Sequence, residues 1–257
     1  MQIIGLVPAA GQASRLGRLP CSKEILPVYS SLGAPENGAP RVVSEYLLRA
    51  YGRAGISEVF FILRQGKWDI PAYFGSGREL GMRIGYLVTP WSWGIPFTLE
   101  TAYPFLGDRC VALGFPDMYI QPADSFVHMR EKLQTSGADL VLGLFPIEKT
   151  HKWDMVEFDS DQRIRDIVIK QERPDLRYGW ALALWTPRFS EYLHARVEAI
   201  LASAGDGTIA LADGGRRELY PGDIIRSAIR DNLRLEYVLF AGGRCVDIGT
   251  PDEVCSL

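Results

Sequence analysis

Short apolar runs alternate with amphipathic segments along most of the chain. Residues 59–63 and 138–145 are largely apolar, which is typical of strands that a parallel sheet buries on both faces. Residues 42–54 instead repeat apolar side chains every three or four positions, which predicts a helix with one buried face. Because strand-like and helix-like segments alternate, the pattern predicts an α/β fold with a mostly parallel central sheet.

The rest of the chain predicts further elements in the same alternating order. Strands are expected from residue 3 and over 82–88, 109–114, 234–240 and 244–247. Helices are expected around 98–105, 124–136, 188–203 and 221–231, with a short terminal helix from Pro251. Antiparallel strands that extend over one end of the sheet are expected at 153–158, 163–170 and 178–185. Loops rich in glycine are expected over 30–39 and 205–215.

Composition narrows the class of protein. Of the 257 residues, 47% are hydrophobic and 23% are charged, which fits one large α/β domain. The net charge of −3 is unlike the basic excess of general nucleic-acid binders. No apolar run approaches the ~20 residues of a membrane-spanning helix, and no basic segment with a cleavage site precedes the first strand. We therefore expect a cytoplasmic protein that binds neither nucleic acid nor a membrane.

The N-terminal segment carries residue types suited to a nucleoside triphosphate. An apolar run ends in small residues over 3–16 (IIGLVPAAGQASRL), and 22–27 (SKEILP) follow. Small residues let backbone N–H groups approach phosphate oxygens, and Arg15 and Lys23 can neutralise a leaving pyrophosphate. The segment matches neither a P-loop nor a dinucleotide fingerprint. A surface loop with both cations in solvent is the alternative interpretation.

Two aspartates directly follow predicted strands later in the chain. Asp117 ends the segment VALGFPD, and Asp247 lies within CVDIGTP. Ligands of open α/β sheets bind at the carboxyl ends of strands, and carboxylates there suit Mg²⁺, which prefers oxygen ligands. Each aspartate could equally cap a helix or form a turn.

Together these motifs resemble the signature of the sugar-1-phosphate nucleotidylyltransferases. The family pattern runs Gly-Gly-x-Gly-Thr-Arg-Leu and then Ser/Pro-Lys-x-x-Leu-Pro, and here it stands as AGQASRL and SKEILP, with alanine at two family glycines. The resemblance implies that Arg15 and Lys23 are catalytic and that Asp117 and Asp247 are Mg²⁺ ligands. Two additional residues precede Asp117 relative to the family's Leu-Gly-Asp. The implied fold is a Rossmann-like three-layer fold with a small antiparallel sugar-binding extension.

The resemblance also implies where the two substrates bind. The nucleotide is expected to contact Ala9, Ala10, Gly11, Thr89 and Gly94. Of these, Thr89 stands where the family has a base-reading glutamine, so the identity of the base stays open. The sugar is expected to contact Asp154, Glu172, Arg173 and Trp180, and Asp154 replaces a glycine of the family. An exposed charge pair is the alternative interpretation of Glu172 and Arg173.

The implied activity is Mg²⁺-dependent transfer of a nucleotidyl group from an NTP, with dTTP or UTP favoured, to a sugar 1-phosphate. Residues 1–257 would form one domain. Residues 1–150 would mainly bind the nucleotide, and residues 151–250 would mainly bind the sugar and provide the second metal ligand. A catalytically inactive nucleotide-sugar-binding regulator or scaffold is the alternative. A glycosyltransferase is less favoured, because the nearest Asp-x-Asp motif, at 159–161, lies in a predicted hairpin turn. Assembly into a homo-oligomer is left open.

Overall fold

A nine-stranded sheet forms the centre of the structure. The structure is a computed structural model, and it describes residues 1–11, 16–17, 19–28, 41–90, 93–204, 208–210 and 216–249. The loop predicted over 30–39 and the helix predicted from Pro251 lie outside the described residues, as does Arg15. Of the loop predicted over 205–215, only 208–210 are described, and they form a short strand.

The described elements agree with most of the predicted ones within a few positions. The strands are β1 (Ile3–Ala9), β2 (Pro27–Val28), β3 (Arg41–Val42), β4 (Glu58–Leu63), β5 (Arg83–Val88), β6 (Cys110–Leu113), β7 (Met118–Gln121), β8 (Leu140–Pro146), β9 (Asp154–Phe158), β10 (Ile164–Ile169), β11 (Tyr178–Trp185), β12 (Thr208–Ala210), β13 (Arg216–Glu218), β14 (Leu235–Leu239) and β15 (Arg244–Asp247). The helices are α1 (Val43–Arg53), α2 (Asp69–Phe74), α3 (Ile95–Glu100), α4 (Ser125–Ser136), α5 (Pro187–Ala204) and α6 (Pro221–Arg230).

The central sheet is mostly parallel, as the sequence predicts. Its neighbouring strands run β14-β8-β11-β6-β1-β4-β5, and only β11 lies antiparallel to its neighbours in this row. The hairpin of β9 and β10 joins the row through the pairing of Met155 with Gly179 at the start of β11. The predicted antiparallel strands therefore continue the central sheet itself. A separate short antiparallel pair joins β7 to β15.

Helices cover the sheet on both faces and give a three-layer arrangement. Successive residues of β1 point to opposite faces, as in any strand. Leu6 packs in a core with Phe97 of α3 and Leu193 of α5, whereas Val7 packs in a second core with Leu48 of α1. Both faces are thus buried, which explains why the sheet strands are apolar at nearly every position. Among the described residues, no helix has the length and apolar character that crossing a membrane requires.

The helix predicted over 98–105 differs from the structure. Helix α3 begins earlier, at Ile95, and ends at Glu100, and a separate 3-10 turn covers Tyr103–Phe105. Pro96 suits the first helical turn, where its missing N–H is not needed, whereas Pro104 cannot continue a regular helix. Helix α2 and the short strands β2, β3, β7, β12 and β13 had no predicted counterpart, because they are too short to show a period.

Tyr51 of α1 links the helix to two central strands and provides a test of this packing. Its ring is fully buried, and its hydroxyl lies 3.0 Å from the carbonyl oxygens of both Leu6 and Ala112. Because Tyr51→Phe removes this buried donor, we expect the free energy of unfolding to fall by about 1–2 kcal/mol. Urea denaturation measures the change, and Tyr73→Phe at an exposed tyrosine is the control. Equal losses in the two variants would contradict the assigned role.

Candidate active site

A cleft of about 610 Å³ opens at the carboxyl ends of β1 and β6. Ligands of open α/β sheets bind at this edge. The predicted site residues that line the cleft are Ala10, Gly11, Lys23, Gly94, Asp117, Asp154, Trp180 and Asp247. The structure therefore brings together residues from both the predicted nucleotide-binding and the predicted sugar-binding parts of the chain.

Where β1 ends, the cleft is lined by residues with a small side chain or none. Ala10 and Gly11 follow β1 and line the cleft, while Ala9 is buried within the strand. Gly94 precedes α3 with a φ of 130°, and a Cβ there would collide with the carbonyl oxygen of Leu219. This close approach requires glycine. Thr89 is buried beside the end of β4, where its N–H donates to Leu63 at 2.8 Å, and it does not line the cleft.

Lys23, Asp117 and Asp247 come from three distant segments and meet in the cleft. Lys23 begins a 3-10 turn and forms an ion pair with Asp117, which lies between β6 and β7. Strand β15 pairs with β7 so that Asp247 lies opposite Met118, and the N–H of Ile248 donates to the Asp117 carbonyl at 3.0 Å. The two carboxylates thus lie at neighbouring positions where β7 begins and β15 ends, with the lysine ammonium bound to one of them.

Electrostatics hold Lys23 in its charged form. Burial alone would lower the pKa of Lys23, but the carboxylates of Asp117, Glu24 and Asp247 outweigh burial and raise its pKa above the ordinary value. The side chain is mostly buried, with 15% of its surface exposed. Lys23 therefore presents a fixed positive charge to the cleft over the whole physiological pH range.

A buried ion pair beneath the cleft fixes the segment that carries Lys23. The Nζ of Lys67 lies 2.6 Å from Oε1 of Glu24, and both side chains are almost fully buried. Burial raises the pKa of Glu24 and lowers that of Lys67, and their mutual attraction opposes both shifts. On the other side of the motif, Ser22 donates its hydroxyl to Asp69 at 2.7 Å and its backbone N–H at 2.6 Å. Neither contact had been predicted from the sequence.

On the opposite side of the cleft, Asp154 is a buried carboxylate at the start of β9. Its Oδ2 lies against Gly222 in the first turn of α6, where an added Cβ would come within 2.5 Å, and the Gly222 N–H donates to the carboxylate. Burial raises the pKa of Asp154 to about 6, and Asp223 adds to the effect, while Lys170, the Gly222 N–H and Arg217 oppose it. Asp223 itself is bound by Arg217 at 2.6 and 2.7 Å.

Glu172 and Arg173 do not line the cleft. Glu172 is exposed and pairs with His151 at 2.9 Å. Arg173 pairs with Asp175 at 2.7 Å and with Glu157 at 3.4 Å. This arrangement matches the alternative interpretation, an exposed group of charges beyond a strand end.

Lys170 reaches the cleft instead, two positions before Glu172. It directly follows β10 with a φ of 45°, a left-handed conformation that is uncommon for lysine, and its N–H donates to the Trp153 carbonyl at 3.1 Å. Its Nζ lies 3.6 Å above the ring of Tyr220. The only sequence signal was its place at the end of a predicted strand. Lys152 and Glu218 also line this side and had not been predicted.

Comparisons with known proteins agree with the fold and with the motifs. The Agl11 nucleotidyltransferase of low-salt glycan biosynthesis from Haloferax volcanii is 22% identical over 97% of this chain. A glucose-1-phosphate thymidylyltransferase from Neisseria gonorrhoeae is 25% identical over 97% of this chain and 79% of its own length. The resemblance to the sugar-1-phosphate nucleotidylyltransferases is confirmed. This chain spans 63% of the length of Agl11. No protein-family model matches it.

Solved structures share the fold at lower identity. A protein described as a glucose-1-phosphate thymidylyltransferase from Bacillus anthracis, in complex with sucrose, superposes with a TM-score of 0.79 at 19% identity, covering 99% of this chain and 93% of its own. A UDP-glucose pyrophosphorylase complexed with UDP-glucose gives a TM-score of 0.75 at 16% identity, covering 100% of this chain and 97% of its own. The predicted Rossmann-like three-layer architecture is therefore confirmed.

The buried pair of Glu24 and Lys67 yields a test of how the Lys23 segment is held. Lys67→Met leaves the Glu24 carboxylate buried without its cation, so we expect a loss of about 3–5 kcal/mol in the free energy of unfolding near pH 8. The double variant Glu24→Gln/Lys67→Met removes the uncompensated charge and should recover most of the loss. Urea denaturation of the unsubstituted protein and the two variants measures both effects. A double variant as unstable as Lys67→Met would show that the charge is not the cause.

Asp154 yields a test with a defined pH dependence. Between about pH 4 and 6 the native state binds a proton that the unfolded chain has released, so stability falls as pH rises through this range. The change from an ordinary pKa of 3.8 to about 6 corresponds to about 3 kcal/mol. We therefore expect Asp154→Asn to be more stable than the unsubstituted protein near pH 8, by up to that amount, with the gain vanishing near pH 4.

The matched control for this test is Asp166→Asn in the neighbouring strand β10. Asp166 is bound by Arg226 at 2.7 and 2.8 Å, so its substitution should lower stability near pH 8 instead of raising it. Denaturation series at several pH values compare the two variants. A loss of stability near pH 8 in Asp154→Asn would contradict the raised pKa of Asp154.

Proposed function

We propose that this chain transfers a nucleotidyl group from an NTP to a sugar 1-phosphate, releasing pyrophosphate and forming an NDP-sugar. The observation that carries the proposal is the meeting of Lys23, Asp117 and Asp247 at the carboxyl edge of the sheet. These residues match the family's motifs in three separate segments, and they come together in one cleft. The names of the relatives support the same reaction class.

The charge of the cleft supports Mg²⁺ as the cofactor. Among the described residues, the lining contains the carboxylates Glu24, Asp117, Asp154, Glu218 and Asp247 and the lysines Lys23, Lys152 and Lys170. A nucleoside triphosphate is itself highly anionic, so this excess of carboxylates favours a further cation in the cleft. Asp117 and Asp247 would hold Mg²⁺, because they are oxygen donors at neighbouring positions where β7 begins and β15 ends. Bound there, Mg²⁺ would neutralise charge on the triphosphate.

The chain's own groups would position and stabilise the reacting phosphates. Backbone N–H groups at Ala10 and Gly11 would face the triphosphate, as small residues at a strand end allow. Lys23 would neutralise charge that develops on the phosphates as the sugar phosphate oxygen attacks the α-phosphorus in line and pyrophosphate leaves. Lys152 and Lys170 would attract the sugar phosphate from the other side of the cleft. A general base is not required, since a sugar phosphate is already anionic at pH 7.

The donor is proposed to be dTTP or UTP. Thymidylyltransferases and a UDP-glucose pyrophosphorylase are among the proteins that this chain resembles. Thr89 does not line the cleft, so the proposal assigns it no contact with the base. Gly94 and Thr98, at the start of α3, line the cleft and would contact the base.

The activity and the role of Lys23 are tested by one assay. Purified protein with Mg²⁺ is offered dTTP, UTP, CTP and GTP against several sugar 1-phosphates, and pyrophosphate release is recorded. Lys23→Ala removes a charge that stabilises the transition state, so we expect kcat/KM to fall about 100- to 1,000-fold. The variant's free energy of unfolding should change far less than its activity does.

Lys132→Ala is the matched control, because Lys132 forms a surface ion pair with Glu236 at 3.0 Å, away from the cleft. It should retain full activity. Nucleotide binding without pyrophosphate release from any substrate pair would reject the enzyme in favour of a nucleotide-sugar-binding regulator. A Lys23→Ala variant that loses stability while its folded fraction stays active would reject the role of Lys23.

A further inference from the structure

Two buried polar atoms on the sugar side of the cleft have no hydrogen-bond partner among the described residues. They are Oδ1 of Asp154 and Nε1 of Trp180. The two residues are only 9% and 4% exposed. Buried polar atoms in folded proteins are nearly always paired, so each unpaired atom requires a reason. Both residues line the cleft, and the two unpaired atoms are buried at its wall.

The sheet places these two side chains next to each other. Strands β9 and β11 are antiparallel, and Met155 pairs with Gly179. One step along this register, Asp154 comes opposite Trp180. Residues opposite each other in an antiparallel pair project from the same face of the sheet, with Cβ atoms about 5 Å apart. An acceptor and a donor therefore stand side by side at the same end of the cleft.

The other contacts of Asp154 hold it in place and leave Oδ1 available. Its Oδ2 lies against the first turn of α6, and the Gly222 N–H donates to the carboxylate. The nearby cation Arg217 is engaged with Asp223, and Lys170 lies over the ring of Tyr220.

We propose that Asp154 and Trp180 determine which sugar is accepted. Oδ1 of Asp154 accepts a hydrogen bond from an O–H or N–H group on the sugar ring, and Nε1 of Trp180 donates to a neighbouring oxygen of the same sugar. The accepted substrates are thus 1-phosphates of sugars with a hydroxyl or an amino group at the position facing Asp154. Sugars that are deoxygenated there are rejected. This inference rests on the proposed function and specifies its second substrate.

Rejection of the deoxy sugar follows from the burial of the carboxylate. A sugar without the donor group would still exclude water from Asp154 but would leave Oδ1 unpaired. Sites that are built to bind a substrate hydroxyl discriminate strongly against analogues that lack it, for this reason. We expect kcat/KM for one deoxy analogue to be lower than that for the parent sugar by a factor of about 100 or more.

The test combines substrate analogues with enzyme variants. The 1-phosphates of glucose, galactose and mannose identify the best sugar, and its 2-, 3-, 4- and 6-deoxy and amino analogues are then compared. In the unsubstituted protein one position should be intolerant of deoxygenation. In Asp154→Ala the parent and that deoxy analogue should react at similar rates. The amino analogue at that position distinguishes an N–H donor from an O–H donor.

Asp154→Asn and Asp166→Asn complete the set of variants. Asp154→Asn keeps the shape and one acceptor oxygen, so it should fold and show intermediate discrimination. Asp166→Asn removes a carboxylate that Arg226 binds outside the cleft, and it should discriminate like the unsubstituted protein. Trp180→Phe should weaken discrimination at a neighbouring oxygen of the sugar while leaving the affinity for the nucleotide unchanged.

Calorimetric binding of each sugar 1-phosphate separates this inference from the proposed function. Turnover with unchanged discrimination in Asp154→Ala would overturn the role of Asp154 while the nucleotidyl transfer stands. Selective binding that Asp154→Ala abolishes, without turnover of any substrate pair, would support the role of Asp154 and reject the enzyme. Neither turnover nor binding of any sugar 1-phosphate would overturn both.

Discussion

The ion pair between Lys23 and Asp117 is the contact on which the geometry of the cleft depends. It joins residues 94 positions apart, one in a segment with little regular structure and one at the end of a buried strand. The segment around Lys23 cannot be positioned by backbone pairing alone, so side chains fix it. The buried pair of Glu24 with Lys67 and the hydrogen bonds of Ser22 to Asp69 tie it to the loop and helix that follow β4. A cation is thereby held over the carboxyl edge of the sheet.

Holding Lys23 against carboxylates has a consequence for binding anions. Burial favours loss of a lysine's proton, but Asp117, Glu24 and Asp247 keep Lys23 charged. The same aspartates would repel phosphates if they stayed uncompensated. Under the proposed function, the neighbouring carboxylates of Asp117 and Asp247 would bind a divalent cation that arrives together with the triphosphate. The local charge balance connects the positioning of Lys23 with the proposed metal.

Sequence patterns predicted the sheet and its carboxyl edge, because continuous apolar runs report directly on burial at both faces. Asp117 and Asp247 line the cleft as expected: Asp117 follows the parallel strand β6, and the antiparallel pairing of β15 with β7 brings Asp247 beside it. Glu172 and Arg173 do not. Their motif follows a turn at Lys170, where the left-handed backbone directs the chain away from the cleft and leaves the lysine there instead. Such a turn depends on the local conformation of one residue, which no periodicity reveals.

The buried ion pair of Lys67 and Glu24 could not be predicted from the sequence either. Lys67 and Glu24 are 43 positions apart, and nothing in either segment shows that they meet. Pairing of this kind depends on how loops pack once the sheet has formed.

Asp154, in contrast, was singled out from the sequence, because it differs from the family pattern. The sequence itself offered no reason for a buried carboxylate at this position. The structure supplies one: folding leaves its Oδ1 without a partner at the wall of a cleft. A sugar that donates to this oxygen would complete a hydrogen bond that the folded chain cannot make by itself, so binding there would also stabilise the fold.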